Sequence, residues 1–200
     1  AKLLLPIGTF RKDEVHAIAH SAELAVAEKP ESMEICFVPG NDYRAFVSER
    51  LAPHPGELRS EDGSVLATHQ GVSGYTIGQR KGLGIALGKR RYVTSIDAVT
   101  NVVVVGDEEQ LFTDQVTVDA VSWIAGIGPQ LGEPLTAKAR YKAEPAPVTL
   151  VSANGNNAVV RFARRQRALT PGQAIAFYRG DELLGGGTID RTWREDPYLD

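Results

Sequence analysis

The chain of 200 residues holds a single cysteine, Cys36, so no disulfide can form within it. None is needed, because a chain of this length buries enough apolar surface to fold without a covalent or metal staple. A disulfide-free sequence fits a reducing, cytoplasmic setting. No apolar run approaches the roughly 20 residues that span a bilayer, and the opening "AKLLLPIG" is too short and too soon broken by proline for a secretory signal. A soluble protein with no membrane partner is expected. There is no internal repeat and no low-complexity tract. Nucleotide and metal signatures are missing too. A phosphate loop needs two glycines separated by four residues, then Lys and Ser or Thr, whereas Gly84 and Gly88 are separated by three residues and Lys89 precedes Arg90. A dinucleotide fingerprint fails in "GLGIALG", whose last glycine comes one residue late and leads into a strand. His16 and His20 lie four apart on a helix but lack the intervening Glu and further ligand of a zinc site, and His54 and His69 are isolated, so no metal is expected.

What is present is unevenly distributed. The net charge is −3, yet two stretches are basic and free of acid. Gln79 to Tyr92 carries Arg80, Lys81, Lys89, Arg90 and Arg91; Arg161 to Gly180 carries Arg161, Arg164, Arg165, Arg167 and Arg179. Such segments place positive patches on an acidic molecule.

Hydrophobic spacing predicts a mainly β fold with a short N-terminal α segment. "KLLLPIG" reads as an interior strand of something longer. Val15, Ile18, Ala19, Ala22 and Val26 predict a helix over 13–27, with Asp13 and Glu14 in its first turn and Lys29-Pro30 at its end. A second helix is predicted from Tyr43 to Leu51, capped by Asn41 or Asp42. The cysteine segment "KPESMEICFVPG" connects the two. "APHPGE" is a stiff linker. Beyond it the period shortens to two: a hairpin turning at Asp62-Gly63, a second pair in "RRYVTSID" and "NVVVVG", and the glycine-rich "GYTIGQRKGLGIALG" between them. From Gln115 come six short strands, "QVTVDAVSW", "LTAKARY", "PVTLVSA", "AVVRFA", "GQAIAFY" and "GGGTID", with turns at Asn154-Gly155 and Gly180-Asp181, which predict a small barrel or sandwich. "RGD" at Arg179–Asp181 is read as one of those turns.

Two segments carry chemistry. Cys36, between Ile35 and Phe37, is either a buried filler or a nucleophile. Glu31 and Glu34 oppose its thiolate and Lys29 favours it, and both readings stand. The glycine-rich loop with Arg80, Lys81, Lys89 and Arg90 is either a solvated hairpin loop or a surface whose bare Cα atoms let an RNA backbone come close.

Three blocks, "KDEVHAIAHSAELAVAEKPESMEICFVPG", "HQGVSGYTIGQRKGLGIALGKRRYVTSIDAVTNVVVVG" and "RALTPGQAIAFYRGDELLGGGTID", resemble in order the signature blocks of the tRNA-specific 2-thiouridylases, which replace O2 of the wobble uridine with sulfur. The resemblance implies three parts: residues 1–42, the tail of an ATP-pyrophosphatase-type α/β domain with the catalytic cysteine loop; residues 43–114, a small central β domain; and residues 115–200, a tRNA-binding β-barrel like those of translation factors. It implies that Cys36 carries a persulfide received from a sulfur-carrier protein and delivers it to the adenylated uridine, after which a second cysteine attacks the Cys36 S–S bond. Arg140 and Tyr141 in "KARYKAE", and Gln173 in "TPGQ", match positions that contact tRNA in the family, and the basic loop is implied to face RNA. The "SGGxDS" loop that holds ATP and its Mg is absent, the only "SG" being Ser73-Gly74, as is the second cysteine. Met33 stands where many members carry Gln. ATP is therefore expected to bind outside this chain, with no cofactor within it, and the isolated chain, expected to be monomeric, is predicted to be inactive alone. The alternatives are a stand-alone tRNA- or RNA-binding barrel in which Cys36 is inert, and an interaction domain without an RNA role.

Overall fold

The structure, a computed structural model, describes residues 4–29, 38, 43–50, 54–85, 88–140 and 143–194. Cys36, Met33 and Tyr141, with the caps expected at Asn41 and Asp42, lie outside the described residues. The chain divides into two compact units, Ala1–Leu51 and Ala52–Asp200.

In the first unit, the residues expected to open a strand do not. Leu4–Gly8 run into a turn closed by the Gly8 N–H donating to the Leu5 carbonyl, and Leu4, Leu5 and Ile7 are exposed. Pro6 offers no N–H to a ladder, and no described residue pairs with the segment. Helix α1, Lys12–Ser21, starts where the Glu14 carboxylate accepts the Arg11 N–H at 2.6 Å. It stops six residues before the expected end. Glu23 adopts φ 51°, Leu24 N–H reaches back to the Ala19 carbonyl and Glu23 N–H to that of His20. This is a Schellman motif built on a glutamate instead of a glycine. His20 Nε2 lies 3.0 Å from Glu28. Helix α2 is also shorter than expected, Tyr43–Ser48, with Glu49 and Arg50 in a closing turn and the Arg50 guanidinium 3.5 Å above the Phe46 ring.

The second unit opens with β1 (Gly56–Ser60), β2 (Val65–His69), β3 (Tyr92–Asp97) and β4 (Val102–Gly106). Both expected hairpins form, and β1 then runs parallel to β4, so that the sheet reads β2-β1-β4-β3. Nothing local encodes that parallel pair. Leu58, Val93, Val103 and Val105 fill its buried face, and Leu83 inserts from the glycine-rich loop. At the open end of the sheet the Asn101 side chain donates to the His54 carbonyl and approaches His54 Nδ1, both at 2.8 Å, which ties the proline linker down.

A 3₁₀ turn, Glu108–Leu111, leads into β5 (Phe112–Trp123), followed by β6 (Pro134–Lys138), β7 (Ala146–Asn154), β8 (Asn157–Arg167), β9 (Ala174–Arg179) and β10 (Glu182–Trp193). These are the six expected strands, closed as β10-β5-β8-β7-β6-β9 with every neighbour antiparallel. Strand alternation sends Val116, Val118, Val148, Leu150, Val160, Phe162, Ile175, Phe177 and Ile189 inward, each buried. Closure beside β10 requires bare backbone: a Cβ on Gly185 would stand 2.3 Å from the Ser122 carbonyl, and one on Gly186 2.4 Å from that of Ile175. The Gly180-Asp181 turn joins β9 to β10 as expected.

Candidate functional site

Where the sheet meets the barrel, both within the second unit, the contacts converge on Ala168. Its side chain is buried with Tyr92, Leu111 and the flanking Ile77. Its N–H donates to the Leu111 carbonyl at 2.6 Å. Its own carbonyl accepts from the Arg140 guanidinium and from Thr170 Oγ1, the latter at 3.0 Å. The residue holds φ 53°, a left-handed conformation unusual for alanine.

Arg140 lies two residues past β6 and is only partly exposed. Burial, and then the charge of neighbouring Arg167, hold its pKa below the ordinary arginine value. It is thus a packed brace as well as a cation. Gln173 closes the Thr170-Pro171-Gly172-Gln173 turn, its N–H donating to the Thr170 carbonyl at 3.2 Å with Gly172 at φ 86°. Proline second and a left-handed glycine third define a type II turn. The Gly172 N–H donates to the Ile189 carbonyl and the Gln173 carbonyl accepts the Ile189 N–H, both at 2.8 Å, while the Gln173 side-chain oxygen is buried without a partner among the described residues. The barrel therefore anchors Arg140, through the Ala168 carbonyl, to the loop 168–173 that ends at Gln173. Antiparallel pairing of β6 with β9, Lys138 opposite Ala176, is what aligns their ends.

The glycine-rich loop is pinned from within. Gly78 N–H donates to the Val93 carbonyl and Val93 N–H to that of Gln79, while the Gln79 side chain accepts from Thr76 N–H and donates to the Lys81 carbonyl. A cleft of about 670 Å³ opens beside it, lined by Arg80, Leu83, Ile85, Lys89, Arg90 and Arg91 among others. Folding partly neutralises the segments that are acid-free in sequence. Asp107 takes Arg91 at 2.9 Å and Lys89 at 3.6 Å, Asp114 takes Arg165 at 3.6 Å, and Glu108 takes Arg167 at 3.1 Å. Arg80, Lys81 and Arg90 are exposed and form no ion pair with any described residue. No group of His, Cys, Asp or Glu among the described residues could hold a metal, and no described helix is long and apolar enough to cross a membrane.

Sequence reasoning missed Arg167, Glu108 and Ala168 as parts of this seam. Glu108 and Arg167 are 59 residues apart, so no local pattern links them.

Three family models match in succession: a tRNA methyl transferase HUP domain over residues 1–40, a tRNA methyl transferase PRC-barrel domain over residues 44–107, and an aminomethyltransferase beta-barrel domain over residues 113–189. The tRNA-specific 2-thiouridylase MnmA of Heliobacterium modesticaldum is 45% identical over 196 residues, covering 96% of this chain and 51% of that protein. The protein of that name from Carboxydothermus hydrogenoformans is 47% identical over 194 residues, covering 95% and 53%, and that from a Roseiflexus species 44% over 193, covering 96% and 52%. The chain spans about half the length of the curated relatives it matches. With the three models matching in order between residues 1 and 189 and a relative 45% identical over 96% of the chain, the chain belongs to the tRNA-specific 2-thiouridylase family.

Proposed function

We propose that this chain is the sulfur-carrying and tRNA-holding part of an ATP-dependent tRNA 2-thiouridylase, a sulfurtransferase acting on the wobble uridine. The observation that carries this reading is the 45% identity over 196 residues, covering 96% of this chain, to a protein of that name. The bond from Arg140 to the Ala168 carbonyl supports it, since it ties one residue expected to contact tRNA to the loop 168–173 that ends at another, Gln173. The functional parts are residues 1–42, bearing Cys36, the central residues 43–114, and the tRNA-binding barrel 115–200. Arg140, Tyr141 and Gln173 grip the tRNA, and Arg80, Lys81, Lys89 and Arg90 extend the grip along its backbone.

The residues present do not fit ATP. The cleft beside the glycine-rich loop has no hydroxyl or carboxylate among its lining residues to hold Mg, and its glycines lack phosphate-loop spacing. Nucleotide activation therefore belongs to another part of the parent enzyme. Cys36, as a persulfide received from a sulfur-carrier protein, presents its terminal sulfur to C2 of the uridine once O2 is a leaving group. A second cysteine of the parent enzyme then takes the Cys36 sulfur into a disulfide, and the outer sulfur stays on the base. The setting is the cytoplasm and the enzyme works as a monomer.

The test uses the complete polypeptide with ATP, a persulfide donor and a transcript carrying an unmodified wobble uridine. Replacing Cys36 with Ser should abolish 2-thiouridine formation and leave transcript affinity unchanged. Mass spectrometry should find one added sulfur atom on Cys36 in the wild type. Thiolation that survives Cys36→Ser would sink the sulfur-carrier assignment.

A further inference from the structure

We propose that Arg167 is a further RNA-phosphate ligand and that Glu108 occupies the phosphate's place on it in the free protein. The inference rests on the tRNA-holding reading above. Arg167 Nε donates to Glu108 Oε1 at 3.1 Å, joining the end of β8 to the 3₁₀ turn before β5. Both side chains reach solvent, 37% and 51% exposed. A pair this open to water adds little to stability, because hydration competes with it and salt screens it. It can be exchanged for another anion at small expense.

The surroundings favour an anion richer than one carboxylate. The Arg167 guanidinium carbon lies 5.4 Å from the Tyr92 ring centroid, and a Cβ on Gly78 would stand 3.5 Å from Arg167 Nη1, so the head group is held between the glycine-rich loop and a buried aromatic ring. Arg140 is close enough that the two positive charges repel. Both flank the same residue: Arg167 precedes Ala168 in the chain, and Arg140 binds the Ala168 carbonyl. Glu108 is the only described carboxylate that pairs with either guanidinium. A phosphate diester offers two equivalent oxygens to a guanidinium fork, which suits its planar donors. Asp107, one residue before Glu108, plays the same part for Lys89 and Arg91. The acidic turn thus lies along the basic surface as the RNA backbone would, and Arg167 links the glycine-rich loop to the 168–173 loop that Arg140 braces, along the path of one bound strand.

The experiment measures the affinity of the chain for a tRNA transcript across a salt series, with thermal melts of each variant. Glu108→Gln should tighten binding by up to about fivefold. Glu109→Gln, the same charge change at the neighbouring exposed carboxylate, should have a markedly smaller effect. Arg167→Gln should weaken binding roughly tenfold and flatten the log–log salt slope by about 0.7–0.9, the loss of one phosphate contact. If Arg167→Gln does not fold, the comparison of Glu108→Gln with Glu109→Gln decides alone. Unchanged or weaker binding by Glu108→Gln, or equal effects of the two glutamine variants, overturns the proposal while leaving tRNA binding intact. A wild-type chain that does not bind the transcript overturns the tRNA-holding reading and the exchange with it. Tighter binding of a polyglutamate peptide by Glu108→Gln without any gain for the transcript also overturns it, in favour of an acidic protein partner.

Discussion

Gly78 of the glycine-rich loop packs against Ala168 at the end of β8, so closely that a methyl group on the glycine would stand 3.2 Å from the alanine Cβ. This contact sets the loop carrying Arg80 and Lys81 beside the loop 168–173, which Arg140 braces at Ala168 and which ends at Gln173. Gly78 also sits at φ 86°, where an L side chain is strained. Gly78→Ala should therefore destabilise the second unit by about 1–3 kcal/mol, the left-handed penalty plus a crowded contact. Thermal denaturation would register this as a lower Tm, and an unchanged Tm would show that the seam is loose.

Arg140 braces the Ala168 carbonyl and is proposed to bind tRNA, and substitution separates the two roles. Losing its bond to the Ala168 carbonyl should reduce stability by about 1–2 kcal/mol, since Thr170 Oγ1 still satisfies that oxygen in part. Arg140→Lys keeps the charge and gives up the fork. Transcript affinity should fall roughly tenfold for Arg140→Ala and less for Arg140→Lys, with the alanine variant losing about one phosphate contact in its salt slope. Equal affinities for wild type and Arg140→Ala, both folded, would make Arg140 a brace alone.

The legible parts of this protein were those set by local pattern. Alternation in "AVVRFA" and "GQAIAFY" matches inward residues Val160, Phe162, Ile175 and Phe177 one for one, and Asp62-Gly63 and Gly180-Asp181 turn where turn chemistry demands. The early end of α1 was not legible, because the left-handed residue that stops it is Glu23, which has no glycine-like signature. Nor was the parallel pairing of β1 with β4, which depends on residues 45 apart in register, Glu57 opposite Val102. For the site, charge was readable and pairing was not: the run from Arg161 to Gly180 is acid-free in sequence, but Asp114, Glu108 and Glu133 arrive on it only through the barrel.

His69 makes stability depend on pH. It is buried at the end of β2, and its Nδ1 accepts the Gly71 N–H at 3.0 Å, a bond open only to the neutral ring. Burial lowers its pKa below 6.5, and the Asn101 backbone offsets part of that. The unfolded chain then binds more protons than the folded one, so stability rises with pH across this window and is lost as pH falls from about 6.5 toward the lower folded value. Urea denaturation from about pH 7.5 to about pH 5 should show the midpoint falling in the wild type. His69→Gln cannot titrate and should flatten that slope; an equal slope in both would assign it to another group.

Phe177 tests whether the barrel core sets the geometry of the proposed tRNA grip. Its side chain is 1% exposed, and its ring centroid lies 5.6 Å from that of Trp123. It also stands opposite Ala137 in the β6–β9 pairing that aligns Arg140 with the turn ending at Gln173. Truncation leaves a cavity at that pairing, so Phe177→Ala should cost about 3–5 kcal/mol and Phe177→Leu less. Trp123 reports the change directly, its emission moving to the red as water reaches the ring. Phe177→Leu, which keeps the barrel closed, should bind the transcript less tightly only to the extent that β6 and β9 shift against each other. A folded Phe177→Leu with altered Trp123 emission and wild-type transcript affinity would mean that the two loops are held by the Ala168 contacts and not by the strands beneath them.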